Sequence, residues 1–263
     1  MIVSALQKLR LRLASSIDAF EVESHILTRL NRTAEPPAHA LVLGRTSQGV
    51  RQLFELLGRR LTGCVVLLTL VDDEIPGWAE APYEGEFLPR NATKSHGMSL
   101  SDVLHERPAG IFCLEFPAAL FNGQDHRASY VQRGVSEEIR RMVCTTGLGK
   151  PATPAGRITL LVENGQDVLA DDALFMCSRF GRHANCALVV AQPAPTPAGV
   201  DFQKTADFTV AVGGQPTAPG IVEPMLNLPA GSAIRLKPGQ GWCLDRRDMK
   251  TSFFQLAQCE RPK

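Results

Sequence analysis

The chain is 263 residues long, with 28 Lys and Arg against 27 Asp and Glu, a formal net charge of +1, and 44% hydrophobic against 21% charged residues. That composition is globular and excludes a disordered or fibrous chain, while the length fits one large domain or two small ones. The charge balance excludes a broad phosphate-binding surface, which needs clustered positive charge, and leaves room only for a local basic patch.

In chain order, residues 2 to about 30 place Ile2, Leu6, Leu9, Leu13, Ile17, Phe20, Ile26, Leu27 and Leu30 at helical spacing. The spacing predicts one or two amphipathic helices, packed either on the domain that follows or on a partner or membrane surface. The opening residues lack the order of charge, apolar run and small-residue cleavage site of a signal peptide, and no run reaches the roughly 18 apolar residues of a membrane span. Asn31 to His39, with Pro36-Pro37, reads as a linker.

Short apolar runs then alternate with helical segments. The runs Ala40–Leu43, Cys64–Val71, Ile111–Phe116, Ile158–Val162 and Cys186–Ala191 read as strands. Helices are expected at Gln48–Leu61, around Gly134–Val143 and at Asp171–His183. Continuous apolar strands separated by helices imply a mostly parallel sheet covered on both faces, an α/β core. Between Asp72 and Gly110 the chain carries seven Pro and Gly and little periodicity, so a long surface excursion is expected there. From Phe208 the pattern changes to Phe208–Val212, Ala233–Leu236 and Ser252–Ala257 between Pro/Gly turns, an antiparallel extension of the sheet or a small β cap. The domain reading is therefore 1–38 for the helical segment and linker, 39–215 for the core with its 72–110 insertion, and 216–263 for the β extension.

Seven cysteines form an odd set with no CxxC pair, and several lie in apolar runs. Buried reduced thiols, and hence a cytoplasmic setting, follow more readily than a disulfide framework or a zinc site. His96, His105 and His126 have acids nearby but not the tight ligand pairs that zinc needs. Arg133, Glu137, Glu138, Arg140 and Arg141 read as an exposed helix face. Asp245-Arg-Arg-Asp248 reads as a salt-bridged turn or as a pair of guanidiniums for an anionic ligand.

The chemistry concentrates in two places. Gly44-Arg-Thr-Ser-Gln-Gly49 sits between a strand and a helix with the glycine spacing of a phosphate-binding GxxxxGK[ST] loop. In such a loop backbone N–H groups approach the phosphates, the lysine reaches the outer ones and the hydroxyl holds magnesium. The lysine and hydroxyl positions hold Val50 and Arg51, so a phosphate site and a plain tight turn both fit. The strand Ile158–Val162 ends in Glu163-Asn164, where nucleotide hydrolases place a magnesium-holding acid and a water-orienting carboxylate; Asn164 cannot act as a general base at neutral pH.

The order of these elements carries a resemblance. Residues 160–192, running from Leu-Leu-Val-Glu-Asn through Gly181-Arg182 to Val-Val-Ala-Gln192, resemble the Walker B to sensor stretch of the HerA/FtsK superfamily, which includes type IV secretion coupling proteins and conjugation ATPases. The strand after Asp207 and the segment from Leu228 resemble those that close that core. The resemblance covers roughly residues 40 to 240. It implies a RecA-like core in which Gly44 and Gly49 match the loop glycines, Glu163 the metal-anchoring acid, Arg182 the arginine after Gly181 and Gln192 the sensor. A weaker likeness is to the N-terminal domain of the cellulose-secretion regulator family BcsE.

Thr46, Ser47 and Arg51 join Gly44, Gly49, Glu163 and Gln192 as the candidate nucleotide contacts. The departures at Val50, Arg51 and Asn164 point to a fold retained after catalysis was lost. The expected function is a non-hydrolytic assembly or regulatory subunit of a secretion, conjugation or DNA-translocation apparatus. Its ATP binding would be at most weak, and its contacts would be with proteins, among them a complete ATPase, in a homo- or hetero-oligomer. The alternative is a working ATPase that uses Arg45 or Arg51 in place of the lysine. The architecture that follows is specific: the strands beginning near Leu41, Ile158 and Cys186 lie side by side and parallel, with the Gly44–Gly49 loop and Glu163 at their carboxyl ends.

Overall fold

The computed structural model describes residues 26–31, 36–44, 49–69, 110–115, 158–162, 179, 182, 185–213, 219–233, 236–237 and 239–256. Its strands, in chain order, are β1 (Ala40–Leu43), β2 (Cys64–Thr69), β3 (Gly110–Glu115), β4 (Ile158–Val162), β5 (Cys186–Gln192), β6 (Phe208–Val212), β7 (Gln240–Asp245) and β8 (Lys250–Gln255). They form one eight-stranded sheet in the order β3-β2-β4-β5-β1-β6-β7-β8. The strands from β3 to β6 are parallel. β7 and β8 add an antiparallel hairpin beyond β6. β4, β5 and β1 are thus consecutive parallel neighbours, as the order of elements implied.

Both faces of the sheet are covered, which is why its strands read as unbroken apolar runs rather than alternating ones. On one face Ala40, Val42, Ala187, Val189, Val210, Val212 and Leu161 share a core with Ile26, Leu27 and Leu30 of the helical residues 26–31. The helix α1 (Arg51–Arg60) adds Leu53, Phe54, Leu56 and Leu57 to the same core. Those apolar positions recur at three and four residues, the period that points one helical face inward. Residues 26–31 also close the end of α1: the Asn31 amide donates to the Arg60 carbonyl at 3.0 Å, and its Oδ1 accepts the Thr62 N–H at 2.7 Å. On the other face lie α2 (Pro197–Thr205) and α3 (Pro219–Met225). Phe202 of α2 and Val222 of α3 are buried there, and Gln203 of α2 donates to the Thr209 hydroxyl and to the Met225 carbonyl.

The amino ends of the strands are tied by charge. Asp207, just before β6, accepts from Arg29 at 3.2 Å, from Arg182 at 2.8 Å and from the His39 backbone N–H at 2.8 Å. Arg29 also donates to both oxygens of Asp245 at 3.0 and 3.1 Å and lies over the Phe208 ring. The buried His39 ring accepts the Leu188 N–H on Nδ1 at 3.1 Å, so a side chain continues the backbone pairing where β1 has not yet begun. The described part of the N-terminal segment is accordingly built into the core.

Several expectations need correcting. Ala233 and Leu236 lie in no strand: the buried Glu223 carboxylate accepts the N–H groups of Gly231 and Ala233 at 3.0 and 2.9 Å, which bends this stretch into a turn. The strand falls instead at Gln240–Asp245, where Gly241 is tolerated because the Phe254 ring occupies the place of its missing side chain. The final strand runs over Lys250–Gln255 rather than Ser252–Ala257. The α-helix runs from Arg51, after Gly49 and Val50 in a wider π-type turn; Gln48, its expected start, lies outside the described residues. α2 and α3 were not expected from their Pro and Gly. The excursion 72–110 up to Gly110, the helix expected around 134–143 and most of the one at 171–183 lie outside the described residues. Cys186 and Cys243 are buried, and burial, with Asp245 and Asp248 nearby, pushes the Cys243 thiol far up. No described helix is long and apolar enough to cross a membrane.

Removing Arg29 leaves two carboxylates without their shared cation in a region where its own side chain is only 11% exposed. Arg29→Ala is expected to cost about 3–5 kcal/mol of unfolding free energy in urea titration. Arg29→Ala combined with Asp207→Ala is expected to cost less than the sum of the two.

Candidate functional site

Open parallel sheets present ligands at the carboxyl ends of their strands, and of the candidate residues Gly44, Gly49 and Gln192 are described at that edge. Leu43 of β1 pairs with Gln192 of β5, and the next N–H, that of Gly44, donates to the Gln192 carbonyl at 2.9 Å. The loop therefore leaves the sheet directly beside the candidate sensor. β4 ends at Val162 on the same edge. Glu163 and Asn164, which follow it, lie outside the described residues, as do Arg45, Thr46 and Ser47.

The two loop glycines converge on β6. A Cβ at Gly44 would stand 2.7 Å from the Val212 carbonyl oxygen and 2.8 Å from its Cγ2. A Cβ at Gly49 would stand 3.1 Å from the Val212 Cβ and 3.3 Å from the Gly213 N. Close approach to a neighbouring backbone is one of the few circumstances that require glycine. Here both glycines are accounted for by this chain's own packing, without any phosphate. Val50 completes the closure: it is fully buried and belongs to the core shared by α1 and the sheet. A buried apolar side chain at the position of the lysine supplies neither charge nor reach toward an anion. Arg51 is the first residue of α1.

Gln192 is divided between two partners. Its backbone joins the loop, whereas its side chain, 1% exposed, lies under the first turn of α2. Its Oε1 accepts from the Thr196 hydroxyl at 3.4 Å, and a Cβ on Gly199 would come within 2.3 Å of that oxygen. Thr196 is itself the N-cap of α2 and accepts the Gly199 N–H at 3.1 Å. Among the described residues the Gln192 Nε2 finds no partner. The structure therefore brings Gly44, Gly49 and the Gln192 backbone together, but the Gln192 amide is held by α2.

Arg182 is placed elsewhere. Its guanidinium donates to Asp207 and to the Thr205 carbonyl at 2.9 Å, at the amino edge, opposite the Gly44–Gly49 loop. Asp245-Arg-Arg-Asp248 is a structural turn. Asp245 accepts the Arg247 N–H at 2.8 Å and Asp248 the Lys250 N–H at 3.0 Å, while Arg246 donates to the Gln203 carbonyl. Among the described residues no group of three His, Cys, Asp or Glu could hold a metal. Sequence reasoning passed over Val212 and Gly199, which carry no local signal because their importance is contact across the sheet. It also passed over Arg29 and Asp245 as partners, 216 residues apart.

No family model matches the chain, and no curated protein does either. Solved structures share its fold. The cytoplasmic domain of the type VII secretion ATPase EccC from Thermomonospora curvata is 12% identical, with a TM-score of 0.54 over 89% of this chain and 27% of that one. The chain thus spans about a quarter of the length of that EccC structure. The genome-packaging NTPase B204 of Sulfolobus turreted icosahedral virus 2 is 12% identical in its complex with ATP-γ-S, with a TM-score of 0.50 over 84% of this chain and 98% of that one. The sulfate complex of B204 is 10% identical, again with a TM-score of 0.50. The fold is α/β and RecA-like.

If the glycines serve packing, their replacement acts on the unliganded protein. Gly44→Ala is expected to destabilise by about 1–3 kcal/mol, the usual cost of forcing extra volume into a close-packed site, and Gly49→Ala by less because its contacts are longer. Urea midpoints measured without nucleotide check this; unchanged midpoints in both variants would contradict the packing account.

Proposed function

We propose that this chain is a non-hydrolytic RecA-like module, an assembly or regulatory subunit of a secretion, conjugation or DNA-translocation apparatus. The observation that carries the reading is Val50, fully buried at the position where a phosphate-binding loop needs its lysine. Arg51 at the hydroxyl position and Asn164 at the water-orienting position are further departures in the sequence. Each removes a different contribution: charge on the outer phosphates, a magnesium ligand, and orientation of the attacking water. Loss of a single transition-state contact costs about 10²–10³ in rate. Three such losses take a phosphoryl-transfer site to background.

Support for the translocation setting comes from the fold, shared with a secretion ATPase and a genome-packaging NTPase. A module of this kind works in the cytoplasm, at the inner face of a membrane through its partners, in an oligomer that includes a complete ATPase. Nucleotide, if bound at the Gly44–Gly49 loop with Thr46, Ser47, Arg51 and Glu163, would act as a weak structural ligand. The contacts with the apparatus fall to the 72–110 excursion, whose Trp78, Tyr83 and Phe87 are the residue types that anchor interfaces.

The test is a steady-state phosphate-release assay on the purified chain with Mg-ATP. Release is expected at the no-protein background, identically for the wild type and Glu163→Ala. Turnover above background that Glu163→Ala abolishes would establish the working ATPase instead, with Arg45 or Arg51 serving for the lysine.

A further inference from the structure

β8 ends the sheet, and among the described residues no strand pairs with its outer edge. The register decides which groups that edge presents. Leu256 donates its N–H to the Gly239 carbonyl at 2.6 Å, so the residues of β8 that bond inward to β7 alternate from there: Phe254, Ser252 and Lys250. The backbone N–H and C=O groups of Thr251, Phe253 and Gln255 therefore point outward. Edges are commonly blunted by a proline, a bulge or a charge in mid-strand. β8 has none of these: it follows β7 without a break in register, and its one charge, Lys250, stands at its first position.

We propose that this edge is a self-association surface, and that two copies of the chain join their sheets through antiparallel β8 strands centred on Phe253. Only extended backbone matches such an edge, and Lys-Thr-Ser-Phe-Phe-Gln matches itself. In this register Phe253 faces Phe253 of the second copy, Thr251 faces its Gln255 and Gln255 its Thr251. Each of the three pairs exchanges two N–H···O bonds, and no outward group of the strand is left over. A two-fold axis through the Phe253 pair keeps the sheet faces in common. The two Phe253 rings then meet on the face where each stands edge-on to its own Trp242, with centroids 5.2 Å apart. Charge selects the same arrangement. The two Lys250 side chains end up about six strand residues apart, roughly 20 Å, where salt screens their repulsion. A parallel pairing would set them side by side. The residues after Leu256 compete poorly for the edge, because Glu260, Arg261, Pro262 and Lys263 are types that strands disfavour. This surface is independent of whether the Gly44–Gly49 loop binds or turns over nucleotide.

The test is sedimentation equilibrium of the full chain over a wide concentration range, for the wild type and Gln255→Pro. Gln255 is exposed and its N–H bonds nothing in β7, so proline there removes an outward donor while sparing the hairpin. The wild type is expected to dimerise. Gln255→Pro is expected to weaken the dimer about tenfold or more, since each dimer loses two hydrogen bonds. A second measurement reads the register whether or not that variant folds. Thr251→Cys and Gln255→Cys chains are mixed and oxidised with copper-phenanthroline, and the disulfides are mapped by mass spectrometry. A 251–255 link between chains is expected in the mixture, because directly opposite Cα atoms lie about 5.5 Å apart. Neither variant alone is expected to link through its new cysteine. A wild type that stays monomeric, a dimer that Gln255→Pro leaves equally tight, or a mixture without the 251–255 link overturns the proposal.

Discussion

The four residues of β1 are pinned at both ends, and the rest of the fold depends on that placement. At the amino end the Asp207 carboxylate accepts the His39 N–H, while the His39 carbonyl accepts the N–H groups of Asp207 and Phe208 at 2.8 and 3.1 Å. At the carboxyl end the Gly44 N–H reaches Gln192. Between these ends every residue of β1 is buried and pairs with β5 on one side and β6 on the other. A strand this short contributes little by its own pairing. It holds because both flanking residues continue its hydrogen bonds into its neighbours.

That arrangement explains why the loop has the look of a phosphate cradle. A chain that leaves a central strand and turns at once into a helix must pass close to the neighbouring strand, and close passage selects glycine. In nucleotide hydrolases the same glycines bring backbone N–H groups to phosphate. The spacing of Gly44 and Gly49 is common to both demands and does not distinguish them. The distinguishing position is the next one along the chain, where Val50 turns into the core and knits α1 to β6. Glycines anchored in this way have a packing role whether or not the loop also meets a phosphate.

The parallel half of the sheet was legible in the sequence for a simple physical reason. Strands buried on both faces are apolar at nearly every position, with only a threonine in each of β4 and β6, so Ala40–Leu43, Ile158–Val162 and Phe208–Val212 announced themselves with their bounds as observed. α1 was legible by its period. β7 was not, because Gln-Gly-Trp-Cys-Leu-Asp contains a glycine whose place is filled by Phe254 from the next strand, a contact no local pattern encodes. α2 and α3 were hidden behind prolines: Pro197 and Pro219 stand at a helix start, where the missing N–H costs nothing, while Pro224 lies inside the short α3. At the candidate site the loop glycines and Gln192 were legible as a set. The direction of the Gln192 amide, turned to Thr196 and Gly199, depends on a helix that the sequence did not reveal. The charge cluster of Arg29, Arg182, Asp207 and Asp245 joins residues too far apart in the chain for any motif.

The central claim is that position 50 is a packing position rather than a phosphate-binding one, and Val50→Lys tests it most directly. A phosphate-binding loop would welcome the lysine it lacks, whereas a core position must desolvate an unpaired ammonium at a cost of several kcal/mol. The measurement is the urea unfolding free energy of Val50→Lys with and without Mg-ATP. The account predicts a loss of several kcal/mol or outright unfolding, with no recovery on adding nucleotide. A variant that keeps wild-type stability and is further stabilised by Mg-ATP would contradict it.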